Sequence, residues 1–147
     1  MTDTSGSVLG MFTTNKDAEV KGKWVNIGPA SFLLARAGGS NKKFERSVSS
    51  VLRPHQRRIQ TGMMENSEAE DLAVGPFVDA VLLDWKNVRP MKQDEDGEWS
   101  VGEPIPFNKD NAVRILSEHR DLFRYLLEES QRIANFVPEF TADAAKN

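Results

Sequence analysis

Residues 21–39, KGKWVNIGPASFLLARAGG, decide the fold class of this chain. Trp24, Val25 and Ile27 before the Gly28-Pro29 pair, and Phe32, Leu33 and Leu34 after it, are residue types suited to strands, and glycine followed by proline is a turn signal. The stretch reads as a β-hairpin over residues 21–37. Two strands alone are marginal in water, so the hairpin needs helices to pack on. At Gly38-Gly39 the apolar period changes from that of a strand to that of a helix. The expected fold is therefore α+β, an N-terminal β-hairpin packed on a mainly helical domain of about four helices.

Downstream of the glycine pair, Phe44, Val48, Val51, Leu52, His55 and Ile59 recur every three or four residues, the stripe of an amphipathic helix. Pro54 lacks an N–H and its ring clashes with the preceding turn, so a break is expected near Ser50 to Arg53, and Gly62 ends the segment. The next stretch opens on a capping-box pattern, Ser67 and Glu70. It carries Val74, Phe77, Val78, Val81, Leu82 and Trp85 on one face, which predicts an apolar helix closing on Trp85. Gly75-Pro76 either kinks that helix or marks the start of its regular part, since proline is tolerated in a first turn. Asp96-Gly97, within the polar loop 89–103, is a turn dipeptide compatible with a small hairpin or flap. Asn108 is a candidate N-cap for a helix with Ala112, Val113, Ile115, Leu116 and His119 on its apolar face. A last helix from Asp121 carries Leu122, Phe123, Leu126, Ile133 and Ala134.

A length of 147 residues fits one domain with a substantial core. Residues 1–20 are polar and aperiodic, so the expected division is a flexible arm over 1–20, a single domain over 21–137 and a flexible tail over 138–147. No apolar run approaches the length that crosses a bilayer, and the first residues lack the basic start and apolar core of a secretory signal. With no cysteine, disulfide and thiolate chemistry drop out, and the reading favours the cytoplasm.

Chemistry is sparse. His55 and His119 lie on apolar stripes, where a lone histidine is more often a satisfied packing residue than a base or ligand, and neither belongs to a zinc-binding pair. The acids of ENSEAED and QDEDGE suit a helix start and a turn, and lack the spacing of a calcium loop. No nucleophile elbow, phosphate-binding loop or dinucleotide fingerprint is present. The expectation is a protein that is no enzyme, with no cofactor or metal, in which Trp24 and Trp85 serve as core anchors. Charge is the one asymmetry. Arg36, Lys42, Lys43, Arg46, Arg53, Arg57 and Arg58 face Glu45 alone in that segment, a local +6 within a chain of net charge −3. Internal pairing of this segment with the acidic remainder is the plain reading. The functional one is a surface of Lys43, Arg46, Arg53, Arg57 and Arg58 for an acidic protein partner rather than nucleic acid, since the pI is near 5.5 and no DNA-binding motif appears.

Ala35 to Gly38 at the end of a strand, Trp85 to Val88, Asp96-Gly97, Ile105 to Ala112, and Ala134 with Phe136 follow one another in an order and spacing that resembles the tail assembly chaperones of long-tailed, siphovirus-type bacteriophages and prophages. The similarity spans roughly residues 21–137. Gly75-Pro76, and SEHRD where such proteins often place a proline, depart from it. The resemblance implies a non-catalytic protein of the host bacterial cytoplasm, absent from the mature virion. It would hold the tape measure protein soluble and recruit tail tube protein, with no nucleic acid or membrane as partner. Trp85, Val88, Ile105, Phe107 and Ala112 would be its structural signature, Trp85 and Ile105 to Phe107 closing one clasp with loop 89–103 outside it. The competing classes are a small DNA-binding transcription regulator and a head–tail connector or other structural virion protein.

Proteins of this kind often extend a fraction of their product by −1 frameshifting, which would add a longer form of the chain itself as a partner. Ala145-Lys146-Asn147 can be encoded GCA AAA AAC, which contains the slippery heptamer A AAA AAC, although an ordinary polar terminus explains the same peptide. The expected outcome is that heptamer in the coding sequence with an open −1 frame beyond it. Sequencing that finds neither rules out the two-product scheme.

Overall fold

The computed structural model describes residues 7–136, the side chain of Ala134 excepted. The expected tail 138–147, the frameshift peptide and the first six residues of the arm lie outside that range. The later part of the expected arm is built into the fold. Asn15 caps a short helix, α1 (Lys16–Lys21), by accepting from the N–H groups of Asp17 and Ala18. The hairpin follows as β1 (Lys23–Ile27) and β2 (Ala30–Leu34), paired from Lys23–Leu34 to Ile27–Ala30. Gly28 at φ +57, followed by Pro29, meets the demand of a II′-type turn for a positive φ at its first central position.

Helix α2 (Lys42–Leu52) ends where proline was expected to end it; one 3₁₀ turn carries Pro54, and α3 (Gln56–Gln60) resumes. Helix α4 (Asn66–Ala80) runs through Pro76 without a break and buries Val74, Pro76, Phe77, Val78 and Ala80. The capping box does not form: Glu65 occupies the N-cap without a side-chain bond, and Glu70 is engaged by Arg124. The expected helix to Trp85 is also corrected. After Ala80 the chain turns extended as β3 (Leu82–Lys86), pairing antiparallel with β2 so that Phe32 faces Trp85. An apolar run this short fits a buried strand as well as a helix, and pairing with the open edge of β2 decides it. The result is a three-stranded sheet in the order β1-β2-β3.

A second, separate ribbon of β4 (Met91–Gln93) and β5 (Trp99–Val101) is closed by a turn in which Asp94 accepts from the N–H groups of Asp96 and Glu98. Helix α5 (Lys109–Glu118) starts on Asn108, which accepts from the Asn111 N–H at 2.7 Å, and α6 (Arg120–Gln131) completes the body. The architecture is α+β, with the hairpin on a helical body. Among the described residues no helix is long and apolar enough to cross a membrane.

Two files of edge-to-face aromatic rings cross the core: Phe44–Phe77–Phe123, at 6.3 and 5.2 Å, and Phe32–Trp85–Phe107, at 6.4 and 5.2 Å. All five signature residues pack here. Ala112 and Trp85 are buried, and Val88, Ile105 and Phe107 lie against them. The Trp85 indole N–H donates to the Ile105 carbonyl at 2.8 Å, and the Ile105 N–H donates to Val88 O at 2.7 Å. Trp24 does not anchor the core. The register turns Val25 and Ile27 inward and leaves Trp24 41% exposed on the outer face, with the Lys86 ammonium 4.2 Å from its ring centroid.

The junction between α1 and the sheet is polar. Buried Glu19 accepts from the Thr14 hydroxyl, from the Ser40 N–H at 2.5 Å and from the Arg36 guanidinium at 3.1 Å. Gly39, at φ +55, is where the backbone passes closest: a Cβ there would collide with the Glu19 carboxylate and Arg36. Burial alone would raise the Glu19 carboxyl, but hydrogen bonds from Thr14, Ser40 and Arg36, together with the charge of Arg36, outweigh it and hold it below the usual carboxylate range. A native value below the unfolded one stabilises the fold above the unfolded-state value, and the contribution is lost as pH falls through the native value.

Two outcomes are expected. Glu19→Gln should cost about 1–3 kcal/mol in urea unfolding near neutral pH, with a shallower further loss on acidification than the parent. Trp85→Phe, which orphans the Ile105 carbonyl, should cost about 2 kcal/mol and speed amide exchange at Ile105.

Candidate functional site

The charge asymmetry of the sequence resolves into pairs and a remainder. Arg36 is consumed by Glu19. Arg58 forms a two-pronged ion pair with Glu68, whose carboxyl is held below its ordinary range chiefly by that hydrogen bond. The remaining acids on α4 are met from the C-terminal helices: Glu70 by Arg124 at 2.6 and 2.7 Å, Asp71 by Arg120, and Asp79 by Lys109 at 3.0 Å. Lys42 reaches Glu45 at 3.7 Å across one helical turn. That leaves Lys43, Arg46, Arg53 and Arg57 exposed and without an ion-pair partner among the described residues. Pairing with the acidic remainder thus absorbs Arg36 and Arg58, and Lys42 pairs within the segment.

These four cations are spread along the helix pair: Lys43 and Arg46 in the first half of α2, Arg53 and Arg57 at and just beyond the elbow at which α2 gives way to α3. Pro54 bends the chain there and opens a shallow cavity of about 350 Å³, lined by Ser49, Leu52, Arg53, Gln56, Ile59 and Gln60. Ile59 and Met63 are exposed beside it. Leu52 and Ile59 are its apolar walls and Arg53 its one charged wall, on a helix pair held to the body by Phe44 against Phe77 and by Arg58 against Glu68. It offers hydrophobic contact and unneutralised positive charge. Of the two histidines, His55 is half-buried beside Glu68, and His119 ends α5 exposed. Among the described residues no three His, Asp or Glu side chains gather as a metal site would require.

A second surface escaped sequence reasoning. The β4–β5 ribbon stands off the body, and Met91, Trp99 and Val101, on one face of it, are 59 to 63% exposed. Between that face and the helices lies an open groove of about 860 Å³, with Val88, Ile105, Ile115 and Leu122 on the body side and Arg89, Arg114, Glu118 and His119 on its margins. The signal was present in the sequence as alternation on either side of Asp96-Gly97, MKQ before and WSV after, which places one apolar set on one face of a hairpin. Its polarity hid it, because such a ribbon buries nothing in the body.

The clasp, the elbow and the groove all lie in the region that comparison with known proteins identifies. No curated protein and no solved structure matches the chain. Residues 39–147, well over half of the length and everything from α2 onward, match the family described as YdaY prophage protein, and the chain belongs to that family.

Proposed function

We propose that this prophage protein is a tail assembly chaperone, and that its basic elbow receives an acidic, amphipathic helix of the tape measure protein. The observation that carries this reading is the set of four exposed, unpaired cations along α2 and α3, Lys43, Arg46, Arg53 and Arg57, of which Arg53 lines the cavity that also holds Leu52 and Ile59. A helix laid there would bury its apolar face on Leu52 and Ile59 and set its acids toward the unpaired cations of α2 and α3. The chaperone reading also draws support from the clasp. The elements that carry the resemblance, Trp85 to Val88 and Ile105 to Ala112, are far apart in sequence and come together through the Trp85 hydrogen bond and the Phe107 ring contact. Such a protein would keep the tape measure protein in solution, recruit tail tube subunits and leave before the particle is complete. It would act in the host cytoplasm, by binding alone.

The test is co-expression with the tape measure protein of the same prophage. Reversing Lys43, Arg46, Arg53 and Arg57 to Glu should cut the soluble, co-purifying tape measure protein at least tenfold. Because the four side chains are exposed, the variant's own unfolding should move by less than about 1 kcal/mol. Unchanged co-purification overturns the assignment of the elbow. Tight binding to duplex DNA, with a log–log salt slope of about −4 for four phosphate contacts, would favour a transcription regulator. Recovery of the protein from purified particles would favour a connector.

A further inference from the structure

The two edges of the three-stranded sheet are finished differently. On β3 the N–H that points outward is that of Trp85, and the Asp84 carboxylate accepts it at 2.8 Å, so a side chain blunts that edge. On β1 the two-residue turn sets the alternation. Ile27 with Ala30, Val25 with Phe32 and Lys23 with Leu34 exchange the ladder bonds, which leaves the N–H and C=O groups of Trp24 and Asn26 pointing away from β2. None of those groups has a partner among the described residues. The hydrogen bonds of α1 run instead to Arg36 and Ser40, past the end of β2. We infer that β1 is the edge on which two copies of this chain pair, strand against strand, into one continuous sheet. The inference stands apart from the chaperone reading: it concerns the chain by itself, a surface other than the elbow, and residues ahead of the 39–147 that match the family.

A second copy is the occupant because the strand is complementary to itself. Antiparallel pairing about a two-fold axis at Val25 sets Trp24 of one copy opposite Asn26 of the other, and Lys23 opposite Ile27. Each outward N–H then meets a carbonyl. Lys23, the one charged residue of the strand, faces an apolar side chain, and the two lysines stand about 14 Å apart along the strands. Gly22 and Gly28, which flank the strand, fall opposite each other, so neither end of the pairing brings side chains into collision. Nothing lies within 4 Å of the place where a Cβ on Gly28 would stand. On the outer face the two Trp24 rings become diagonal neighbours, about 7–8 Å apart, a span that aromatic side chains bridge. On the inner face Val25 and Ile27, already packed against the core, carry the apolar layer across the join.

The pairing also closes. Each copy spends its β1 edge, and the outer edges of the joined sheet are both β3, where Asp84 already holds the Trp85 N–H. No third copy is templated, so the contact ends at a two-fold dimer and does not propagate into fibres. The β4–β5 ribbon fits such a role less well. Its strands are three residues each, and β4 is centred on Lys92, which would stand against itself in a symmetric pairing.

The experiment uses the full chain without any partner. Sedimentation should show a dimer. Asn26→Pro removes an outward N–H and spares the ladder to β2, since proline is tolerated where an edge strand's N–H faces solvent. It should weaken the dimer more than tenfold, about 1.4 kcal/mol, whereas Asn26→Ala, which keeps the N–H, should leave the dimer in place. Because the chain has no cysteine, Trp24→Cys and Asn26→Cys variants can be mixed and oxidised. Opposed residues of a hydrogen-bonded pair stand about 5.5 Å apart at Cα, within disulfide reach, so a 24-to-26 link between the two variants is expected, formed faster than any link within either variant alone. This crosslink keeps the test independent of how well the proline variant folds. A monomer at every accessible concentration overturns the inference, as does a mixture that forms no 24-to-26 link. A dimer that Asn26→Pro leaves unchanged, or that Asn26→Ala weakens as much, would place the contact elsewhere than on the backbone of β1 and overturn it too.

Discussion

The side chain of Trp85 is tied on three sides, and the fold closes around it. Its strand pairs with β2, its ring meets Phe32 and Phe107 edge to face, and its indole N–H is satisfied by the carbonyl of Ile105. Each tie recruits a different part of the chain: the hairpin, the segment entering α5, and the backbone that leaves and re-enters the body at Val88 and Ile105. A buried indole without a partner for its N–H would cost on the order of 1–3 kcal/mol, so the hydrogen bond to Ile105 is what permits so large a ring at this place. Without it, the Ile105 carbonyl would lose its partner and the join between β3 and the segment that enters α5 would loosen.

Electrostatics divides the molecule differently. Pairing across α4 and α6 uses bases from the C-terminal helices, where Arg124 and Arg120 meet Glu70 and Asp71. The acids that might have neutralised the basic segment are thereby already occupied. Exposed ion pairs add little to stability, so their main effect is on the potential left at the surface: α2 and α3 keep their positive charge because α6 has answered α4.

Periodicity and turn chemistry made much of this legible from sequence. The Gly28-Pro29 hairpin, the break at Pro54, the Asn108 cap and the ribbon at Asp96-Gly97 each rest on a local rule that tertiary packing did not oppose. Where the reading failed, long-range pairing had overridden a local signal. Leu82 to Trp85 continued a helical stripe but was claimed by the edge of β2; Ser67 and Glu70 matched a cap, but Glu70 was worth more to Arg124; Trp24 looked like core, and the register turned it outward. The charged elbow was visible as composition, whereas which of its cations stay unpaired depends on contacts such as Arg58 with Glu68 that no spacing rule anticipates. The groove under the ribbon belongs to the same category, since its walls come from three separate stretches of chain.

The hydrogen bond from Ile105 to Val88 has a consequence for how such a protein can diverge. It makes everything between those two residues an excursion that begins and ends at one point of the body. Lengthening a loop between fixed ends costs only about 0.6 kcal/mol per doubling, so the excursion can be trimmed to a tight turn or enlarged to a small domain with little effect on the rest. Evolution is free to rewrite this stretch at a pace set by what the ribbon must touch, while the clasp beneath it holds the register. It is equally the natural place to insert a fluorophore or an affinity tag without disturbing the core.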